Sequence, residues 1–484
     1  MVRGALASCL GVGLVALTLG ASDARAEEWR VIGSRFHGMG GAGVAVAEGA
    51  AAAYWNPGAL GFSPPLLEVD VPLGLSAAAE GDLLPNTRDV LHFIERSGFE
   101  ATFDKIEAGQ QLTPEELSET LALVARELPG FADNGQGGVV TLDGGFMIRR
   151  GRWVLTSRAS GLAGIDPVLD ARGVAFGSEL DVDLNRLVGP GADHSSEFTN
   201  PASQSLADAI ASSAAGLTQA QAEEIVFRAE QAGIDTSNPG VRELVSQVTT
   251  SSLGGGLNQT GAVVRGLYTK EVGLASGIVL GDRLGVGVHV RHVHGTTVDT
   301  SILLAGSDRS IGTEDRRRST AIALDMGLLY EVQEGLRLGL AARNVNRPTF
   351  KTRGPHPFEL KPQVRLGAAL EVTSRLRVAA DLDLTQNAFE TIDGFESRML
   401  AIGLEYRSRF LGHSVDLRAG VHRNTASGPN SDIAVTLGFG LYAGNFQLDL
   451  SLGSALERRR FDAIDTHVPH RLDVATSIRW VTEF

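Results

Sequence analysis

The C-terminal half of the chain alternates between apolar residues and polar or small residues over many short stretches. From residue 336 to 343, every even position is leucine or alanine, and the odd positions are Arg337, Gly339, Ala341 and Arg343. The same alternation recurs over 364–372, 376–384, 400–406, 415–421, 433–441 and 446–452. A period of two is that of a β-strand with two different faces. These segments therefore predict strands with one apolar face and one face of charges and glycines, which is typical of a barrel with a polar lumen.

The alternation continues to the end of the chain, where the strand predicted over 471–483 is followed by the aromatic Phe484. A final strand that ends on an aromatic residue resembles the terminal signal of bacterial outer-membrane barrels, which the barrel assembly machinery reads. The resemblance implies that Phe484 is an assembly signal and that the barrel assembly machinery is a partner.

The whole pattern predicts about fourteen antiparallel strands, at 67–79, 138–149, 152–164, 263–281, 284–297, 319–331, 335–346, 363–372, 375–386, 397–408, 412–424, 432–442, 445–456 and 471–483. Short and long connections alternate between them. Outer-membrane barrels have short periplasmic turns, longer outer loops and an even number of strands. We therefore predict an all-β membrane barrel in the outer membrane of a Gram-negative bacterium, with outer-membrane lipids around it.

The N-terminus predicts export. A basic start is followed by an apolar run from Ala5 to Leu19 and by an Ala24-Arg25-Ala26 cleavage site, so residues 1–26 are predicted to be a signal peptide. No later stretch has the ~20 consecutive apolar residues of a membrane-spanning helix. Cys9 is the only cysteine, so the mature chain is predicted to have no disulfide.

Two long connections carry helix signals, near 87–130 and 200–250. Thr113-Pro114 with Glu116, and Thr218 with Gln221, have the spacing of capping boxes. Apolar residues over 241–248 predict a further helix. We interpret these inserts as small helices on the outer rim, or else as a cap that docks a partner or gates a ligand.

Composition narrows the class of protein. The formal net charge of −14 excludes nucleic acid as an expected partner. Glycine is abundant, at 59 residues, which suits tight turns and close backbone contacts. Aromatic residues make up only 6% of the chain, so leucine and valine are expected to form most of the lipid-facing band.

A glycine-rich segment at Gly38-Met39-Gly40-Gly41-Ala42-Gly43 matches the G-x-G-x-x-G pattern. The strand before it and the acidic residue ~20 positions after it that nucleotide binding requires are both missing. Glycines in this number instead allow close contact with other backbone, as a compact plug needs.

The segment continues to Trp55-Asn56-Pro57-Gly58. Read together, residues 38–60 resemble the start of FadL-type outer-membrane proteins, which have a Gly-Met-Gly-Gly-Ala stretch and a Trp-Asn-Pro-Ala motif. Gly58 replaces the usual alanine here. The resemblance implies a fourteen-stranded barrel with an N-terminal plug that passes hydrophobic compounds. It assigns residues 27–66 to the plug and 67–484 to the barrel, and the plug motif comprises Gly38, Gly40, Gly41, Trp55, Asn56 and Pro57.

Related proteins with a similar opening include TraF-like proteins of conjugal transfer and PorV-like proteins of a secretion system. The helical inserts look more like the TraF-like group. Asn56-Pro57 also has a structural interpretation, in which Asn56 turns or caps the chain and Pro57 makes the exit of the plug rigid.

Charged residues lie on the predicted inner face of the barrel, among them Arg365, Arg377, Asp381, Glu405 and Arg418. Buried charges need partners, so these residues are either a paired network that fills the lumen or a selective lining for a polar solute. Basic triplets at 316–318 and 458–460, beside predicted outer loops, are either solvated or bind anionic lipopolysaccharide.

No catalytic residue or cofactor is predicted, because the nucleophile-elbow, zinc-protease and phosphate-loop motifs are missing. His289, His292 and His294 invite a metal interpretation, but only His292 and His294 share a strand face, so no metal site is predicted.

Three functions remain. The first is a channel for uptake of hydrophobic molecules, which predicts a hydrophobic ligand, an apolar pocket near the plug and a break in the wall, at Gly161 and Gly164 or in the outer loops. The second is a structural or secretion-linked barrel, TraF-like or PorV-like, that acts through protein partners. The third is a barrel enzyme, which would need a catalytic cluster on one rim.

Overall fold

A computed structural model gives the fold of the protein. It describes residues 28–64, 66–81, scattered positions between 83 and 105, and then 108–123, 135–168, 184–212, 216–239, 261–303, 316–353, 357–388, 391–392, 394–426, 433–461 and 466–483. The predicted signal peptide, the helix predicted over 241–248 and the predicted assembly signal Phe484 lie outside the described residues.

The described strands are, in chain order, β1 (Leu66–Glu80), β2 (Gly137–Arg150), β3 (Trp153–Val168), β4 (Gly261–Leu280), β5 (Leu284–Leu303), β6 (Arg316–Gln333), β7 (Leu336–Arg343), β8 (Thr349–Phe350), β9 (Phe358–Glu359), β10 (Gln363–Glu371), β11 (Leu376–Asp383), β12 (Asn387–Ala388), β13 (Glu396–Ser397), β14 (Met399–Phe410), β15 (His413–Asn424), β16 (Ile433–Ala443), β17 (Phe446–Ala455), β18 (Arg458–Phe461), β19 (Thr466–Pro469) and β20 (Arg471–Glu483). Fourteen of these strands close into one antiparallel barrel in the order β1-β2-β3-β4-β5-β6-β7-β10-β11-β14-β15-β16-β17-β20. The predicted fourteen-stranded barrel is therefore confirmed.

The six remaining strands form three small hairpins, β8–β9, β12–β13 and β18–β19, within long connections. The sequence did not predict them. The largest difference at a barrel strand is in β5, which extends to Leu303 instead of residue 297. The barrel closes where β1 pairs with β20, from Leu66 opposite Glu483 to Ala78 opposite Arg471. The short turns, the start of β1 and the end of β20 therefore lie at one end of the barrel, which is called the turn end below. The long connections lie at the opposite end, which is called the loop end.

The outward faces of the barrel strands expose large apolar side chains all around the barrel. Examples from nine strands are Leu142, Leu274, Val290, Ile322, Leu338, Leu370, Leu404, Leu437 and Leu450. The inward faces carry charges, glycines and small residues, so the apolar side of each strand is turned away from the interior. This is the arrangement of a barrel that is surrounded by lipid. None of the helices in the described part of the chain is long and apolar enough to cross a membrane.

Residues 28–64 fill the lumen as a plug. They form helix α1 (Ser34–Gly38), the 3₁₀ turn Gly49–Ala51, helix α2 (Ala52–Trp55) and the 3₁₀ turn Pro57–Phe62. Trp55 is fully buried at the centre of the plug, where its ring lies 4.8 Å from that of Phe36 and 5.6 Å from that of Tyr54. Its indole N–H donates to the carbonyl of Ile32. Short helices of this kind depend on such packing, because they are too short to be stable alone.

Inward-facing glycines of the wall lie directly against the plug. They are Gly277, Gly285, Gly287, Gly327, Gly339, Gly367, Gly403, Gly420 and Gly438. A Cβ atom on Gly420 would overlap the backbone nitrogen of Gly40, and one on Gly38 would lie 2.8 Å from the Cα atom of Gly438. The two backbones therefore touch at distances that only glycine permits.

The helices in two of the long connections pack on one another. They are α3 (Pro114–Ala122), α4 (Leu184–Val188), α5 (Pro201–Ala211) and α6 (Gln219–Gln231), with α6 in contact with the other three. Capping boxes form at Thr113–Glu116 and at Thr218–Gln221, as the sequence predicts. The buried apolar residues of this helical unit include Leu117, Leu187, Leu206, Ile210, Ile225 and Val226.

Buried charges also hold the helical unit together. The Glu230 carboxylate accepts hydrogen bonds from the backbone amides of Thr199 and Asn200 ahead of α5. His194 stacks on Phe227 with the rings 4.0 Å apart, and its ring nitrogens lie 2.9 Å from Glu197 and 2.7 Å from Glu224.

The wall is continuous at β3, so the predicted break there is wrong. Gly161 pairs with Leu142 on one side and with Tyr268 on the other, and Gly164 pairs with Val139 and Arg265. Both glycines thus lie inside complete ladders. The ladder between β1 and β2 instead omits Val71 and Pro72, between the paired residues Asp70 and Leu73. Proline has no N–H group to donate there, which explains the gap.

Gly420→Ala is expected to destabilise the plugged barrel, because the new Cβ would overlap plug backbone that cannot move aside. Overpacking of this kind costs about 1–3 kcal/mol. The matched control is Gly74→Ala on β1, where the nearest atom would lie 3.9 Å from the new Cβ. Thermal unfolding of the purified barrels in detergent should show a lower midpoint for Gly420→Ala alone. Equal midpoints for the two variants would contradict the close plug–wall contact.

The helical unit is expected to lose stability as the pH rises through the raised pKa of His194. Burial lowers the pKa of His194, but its hydrogen bonds to Glu224 and Glu197 outweigh burial and raise the pKa above its usual value of 6.5. A raised pKa in the folded state adds stability that is complete below 6.5 and is lost as the pH rises through the folded-state value. Above the folded-state pKa of His194, hydrogen exchange of the α6 amides should therefore become faster than the normal increase of amide exchange with pH alone would make it. The acceleration should vanish in His194→Gln; if it persists there, His194 is not its cause.

Candidate functional site: the plugged lumen

Asn56 ties the plug to itself and to the wall. Its side-chain amide donates to the carbonyl of Val44 at 3.0 Å and to that of Leu328 on β6 at 2.8 Å, and its side-chain oxygen accepts from the amide of Gly58 at 3.0 Å. The side chain is completely buried. The carbonyl of Pro57 then lies against Gly277 and Gly287 of the wall. These contacts fit the structural interpretation of the Asn-Pro motif.

The glycines of the plug motif also meet the wall. The carbonyl of Gly38 accepts from the Thr436 hydroxyl at 3.2 Å, and the same hydroxyl accepts from the amide of Gly40 at 2.9 Å. Gly40 has a φ of 68° and Gly41 has a φ of 90°, which other residues adopt only with strain. The Gly-rich sequence therefore supplies both the turn and the close approach.

A network of ion pairs joins α1 of the plug to β14, β15 and β17. Arg35 contacts Glu405 through two bonds of 2.8 Å. Glu405 also accepts from Arg418 at 2.9 Å, and Arg418 donates to Asp449 at 2.5 Å and to Asp416 at 3.2 Å. All these carboxylates are buried. Removing one member of such a network leaves a buried charge without its partner, which is strongly unfavourable.

The remaining predicted lumen charges also have partners. Arg365 pairs with Asp383 at 2.5 Å, and Arg377 pairs with Glu371 at 2.7 Å. Asp381 accepts hydrogen bonds from the plug amides of Gly43 at 2.8 Å and Val44 at 2.9 Å. All five predicted lumen charges therefore lie inside the barrel, and their contacts bind wall to wall or wall to plug.

A second network lies on β3 to β7, and sequence reasoning missed it. Arg291 contacts Asp325 at 2.8 Å and Glu271 at 2.6 Å, and Arg158 pairs with Glu271 at 2.8 Å. Arg343 donates to the Tyr54 hydroxyl of the plug and stacks on the Tyr54 ring. These wall residues lie on strands that the sequence predicts. Their inward orientation could have been predicted from the same alternation of apolar and polar positions that was applied to the C-terminal strands.

A cavity lies between the plug and the wall towards the loop end of the lumen. The plug contributes Trp29, Val31 and His37, and the wall contributes small residues of β1, namely Gly74, Ser76 and Ala78. Val139, Thr141, Asp143, His422, Arg471, Asp473 and Ala475 complete most of its lining. Glu28, Arg30 and Glu80 also line it, so the cavity combines an apolar surface with charged side chains of both signs.

Two histidines of this cavity have unused hydrogen-bonding capacity. His422 is 8% exposed, and neither of its ring nitrogens has a hydrogen-bond partner among the described residues. His37 uses Nδ1 in a 2.9 Å contact with the Ser451 hydroxyl, while its Nε2 has no hydrogen bond within the described residues and lies 3.9 Å from the Asp473 carboxylate. Buried polar atoms normally have partners, so these nitrogens mark a place where a ligand group can be satisfied.

The three histidines at 289–294 do not come together. His289 faces the lumen, where its Nε2 lies 3.0 Å from the Thr156 hydroxyl and its Nδ1 lies 3.4 Å from Asp325. His292 and His294 face outward and are exposed. Within the described ranges, no group of three histidine, cysteine, aspartate or glutamate residues is arranged to hold a metal ion.

One family model matches the chain. It is described as "F plasmid transfer operon, TraF, protein" and covers residues 196–383, less than half of the chain. The matched part runs from the helical unit to the end of β11. No curated protein matches the sequence at a significant level.

Solved barrels are similar at low sequence identity. The Ralstonia pickettii toluene transporter TbuX is 14% identical, with 94% of this chain and 99% of that chain covered and a TM-score of 0.45. The Pseudomonas putida toluene transporter TodX is 12% identical, covers 95% and 100%, and has a TM-score of 0.43. A Pseudomonas aeruginosa FadL homologue is 10% identical, covers 93% and 98%, and has a TM-score of 0.44.

The first two of these neighbours are toluene transporters. The barrel has the fourteen antiparallel strands that the FadL-type resemblance implies, and the match to the TraF family model over residues 196–383 agrees with the predicted TraF-like branch.

Proposed function

We propose that this chain is a non-enzymatic channel of the Gram-negative outer membrane that takes up small hydrophobic molecules carrying one polar group. The observation that carries the proposal is the cavity on the plug, which is lined both by the apolar side chains of Trp29, Val31 and Val139 and by His422, whose ring nitrogens have no hydrogen-bond partner among the described residues. A hydrophobic molecule gains about 25 cal/mol for each Å² of apolar surface that leaves water. A polar head on the same molecule would satisfy the histidine.

The outward face of the barrel supports the proposed location. Exposed apolar residues on every side of a closed sheet would be unfavourable in water, and they are favourable in lipid. Both the predicted signal peptide and the predicted terminal signal at Phe484 fit export to the outer membrane.

The second candidate is a structural or conjugation-linked barrel that acts through protein partners. The plug favours it, because ion pairs such as Arg35–Glu405 and the glycine contacts with the wall hold the plug in place. The helical unit also favours it, because loops that only connect strands do not need a buried core. In the described part of that unit, however, no large apolar side chain is exposed to dock a partner.

Filling the cavity should abolish ligand binding. In Ala78→Phe the new ring enters the cavity from the inner face of β1, whereas in the control Ala77→Phe it points outward from the adjacent residue. We expect an apolar molecule to co-purify with the parent and with Ala77→Phe, and to fall at least about tenfold in Ala78→Phe, because even partial exclusion from the pocket removes more than 1.4 kcal/mol of binding. Lipid extraction followed by mass spectrometry measures the amount of apolar molecule bound to each purified protein.

A parent protein without any bound apolar molecule would contradict the uptake proposal and favour the partner-dependent barrel. Equal amounts of the co-purified apolar molecule in Ala78→Phe and Ala77→Phe would place the ligand elsewhere on the barrel.

The unpaired step at Val71–Pro72 interrupts the ladder between β1 and β2 beside the cavity residue Gly74, so it is the proposed route out of the lumen. The cysteine pair Val71→Cys with Phe146→Cys spans this step, and the control pair Leu75→Cys with Leu142→Cys joins paired residues of the same ladder. Oxidation should block uptake of decanoate by cells only in the first pair, and reduction should restore it. Uptake that continues through the oxidised first pair would exclude this route.

A further inference from the structure

A row of basic side chains faces outward on three neighbouring strands of the barrel. Lys270 on β4 pairs directly with His294 on β5, and Thr296 beside it pairs with Arg318 on β6. Arg316 lies one outward position further along β6, opposite Val298. All four basic residues are exposed, and the Lys270 ammonium lies 5.8 Å from the centre of the Tyr268 ring. These four residues are called the basic row below.

The height of the basic row on the barrel follows from the strand register. At the turn end, one line of paired residues crosses β4, β5 and β6 at Leu280, Leu284 and Tyr330. A second line crosses the same strands ten residues further along each of them, at Lys270, His294 and Thr320. Ten residues at about 3.3 Å each, tilted by about 40°, rise about 25 Å, which is the height of the apolar band of an outer-membrane barrel. The basic row therefore begins where the band ends, on the side of the long loops.

The surface below the basic row is mainly apolar, although it also carries the outward-facing His292. The outward residues between the two lines include Val272, Leu274, Ile278, Val288, Val290, Ile322 and Met326, all of which are exposed. These side chains would contact acyl chains, and the basic row would then lie at the level of the lipid headgroups.

The basic row has no acidic neighbours that could neutralise it. The outward positions of β4, β5 and β6 carry no aspartate or glutamate over the described length of these strands. None of the four basic residues forms an ion pair within the described ranges, although the chain has a net charge of −14. Positive charge is thus concentrated on one part of the outer rim of an acidic protein.

We propose that the basic row binds the phosphate groups of an anionic lipid in the outer leaflet, with the acyl chains of that lipid on the apolar surface below. Each lysine or arginine near an anionic lipid surface contributes about 1 kcal/mol of attraction. Charge-assisted hydrogen bonds from arginine to phosphate add geometric specificity.

This inference rests on the proposed outer-membrane location and does not depend on the cavity ligand. The triple variant Lys270→Gln/Arg316→Gln/Arg318→Gln removes three charges from the basic row. The control Arg152→Gln/Arg375→Gln/Arg409→Gln removes three exposed charges from the turn end. Both sets lie at the surface, and a shift in gel mobility on heating, from the folded to the unfolded barrel, checks that each protein is folded.

Binding is measured by native mass spectrometry of the full mature chain with lipid A that carries two phosphates, and with the same lipid after phosphate removal. We expect the parent and the control to bind phosphorylated lipid A, and the basic-row variant to bind it at least about tenfold more weakly. Dephosphorylated lipid should bind weakly to all three proteins. Inorganic phosphate in millimolar excess should not displace the lipid, because it lacks acyl chains.

Equal binding to the parent and to the basic-row variant would overturn the proposal, as would an equal loss in the two triple variants. Displacement by inorganic phosphate would also overturn it, since a free anion would then be the ligand. Failure of the parent to insert into lipid vesicles would instead contradict the membrane location, whereas an inserted parent without lipid A binding contradicts the basic row alone.

Discussion

The contact between the backbone of the plug and the backbone of the wall is the constraint on which the rest of the structure depends. It requires glycine on both sides, at Gly38 and Gly40 in the plug and at Gly420 and Gly438 in the wall. At these four glycines no side chain separates the two surfaces, so the main chain of the plug lies directly on the main chain of the wall. The position of the plug then fixes where every other inward-facing group can lie.

The inward charges follow from that arrangement. A lumen filled by a plug excludes most water, so each carboxylate or guanidinium needs a partner within the protein. The wall supplies Glu405 to Arg35, and the plug supplies amides to Asp381. The cavity is an exception to this need for partners, because His422 is buried there and neither of its ring nitrogens has a hydrogen-bond partner among the described residues.

Much of the fold could be predicted because lipid and lumen impose opposite chemistry on the two faces of each strand. Where that contrast ends, prediction fails: β5 continues beyond residue 297, and there both faces lie above the apolar band. The pairing of Arg365 with Asp383 follows from adjacent strands, but the contact of Gly420 with Gly40 does not, since it depends on closure of the whole barrel. His422 shares its inward face with Arg418, yet only the three-dimensional arrangement shows that it lacks a partner. The predicted opening at Gly161 failed because glycine in a strand can be fully paired.

The central claim is that the cavity on the plug holds a hydrophobic molecule with a polar group. An experimental structure of the protein, extracted with its native lipids and ligands, tests it most directly. The account predicts a small, mainly apolar molecule against Trp29 and Val139, with its polar group within hydrogen-bond distance of His422. A cavity that contains only ordered water, with the plug in the same position, would contradict the account.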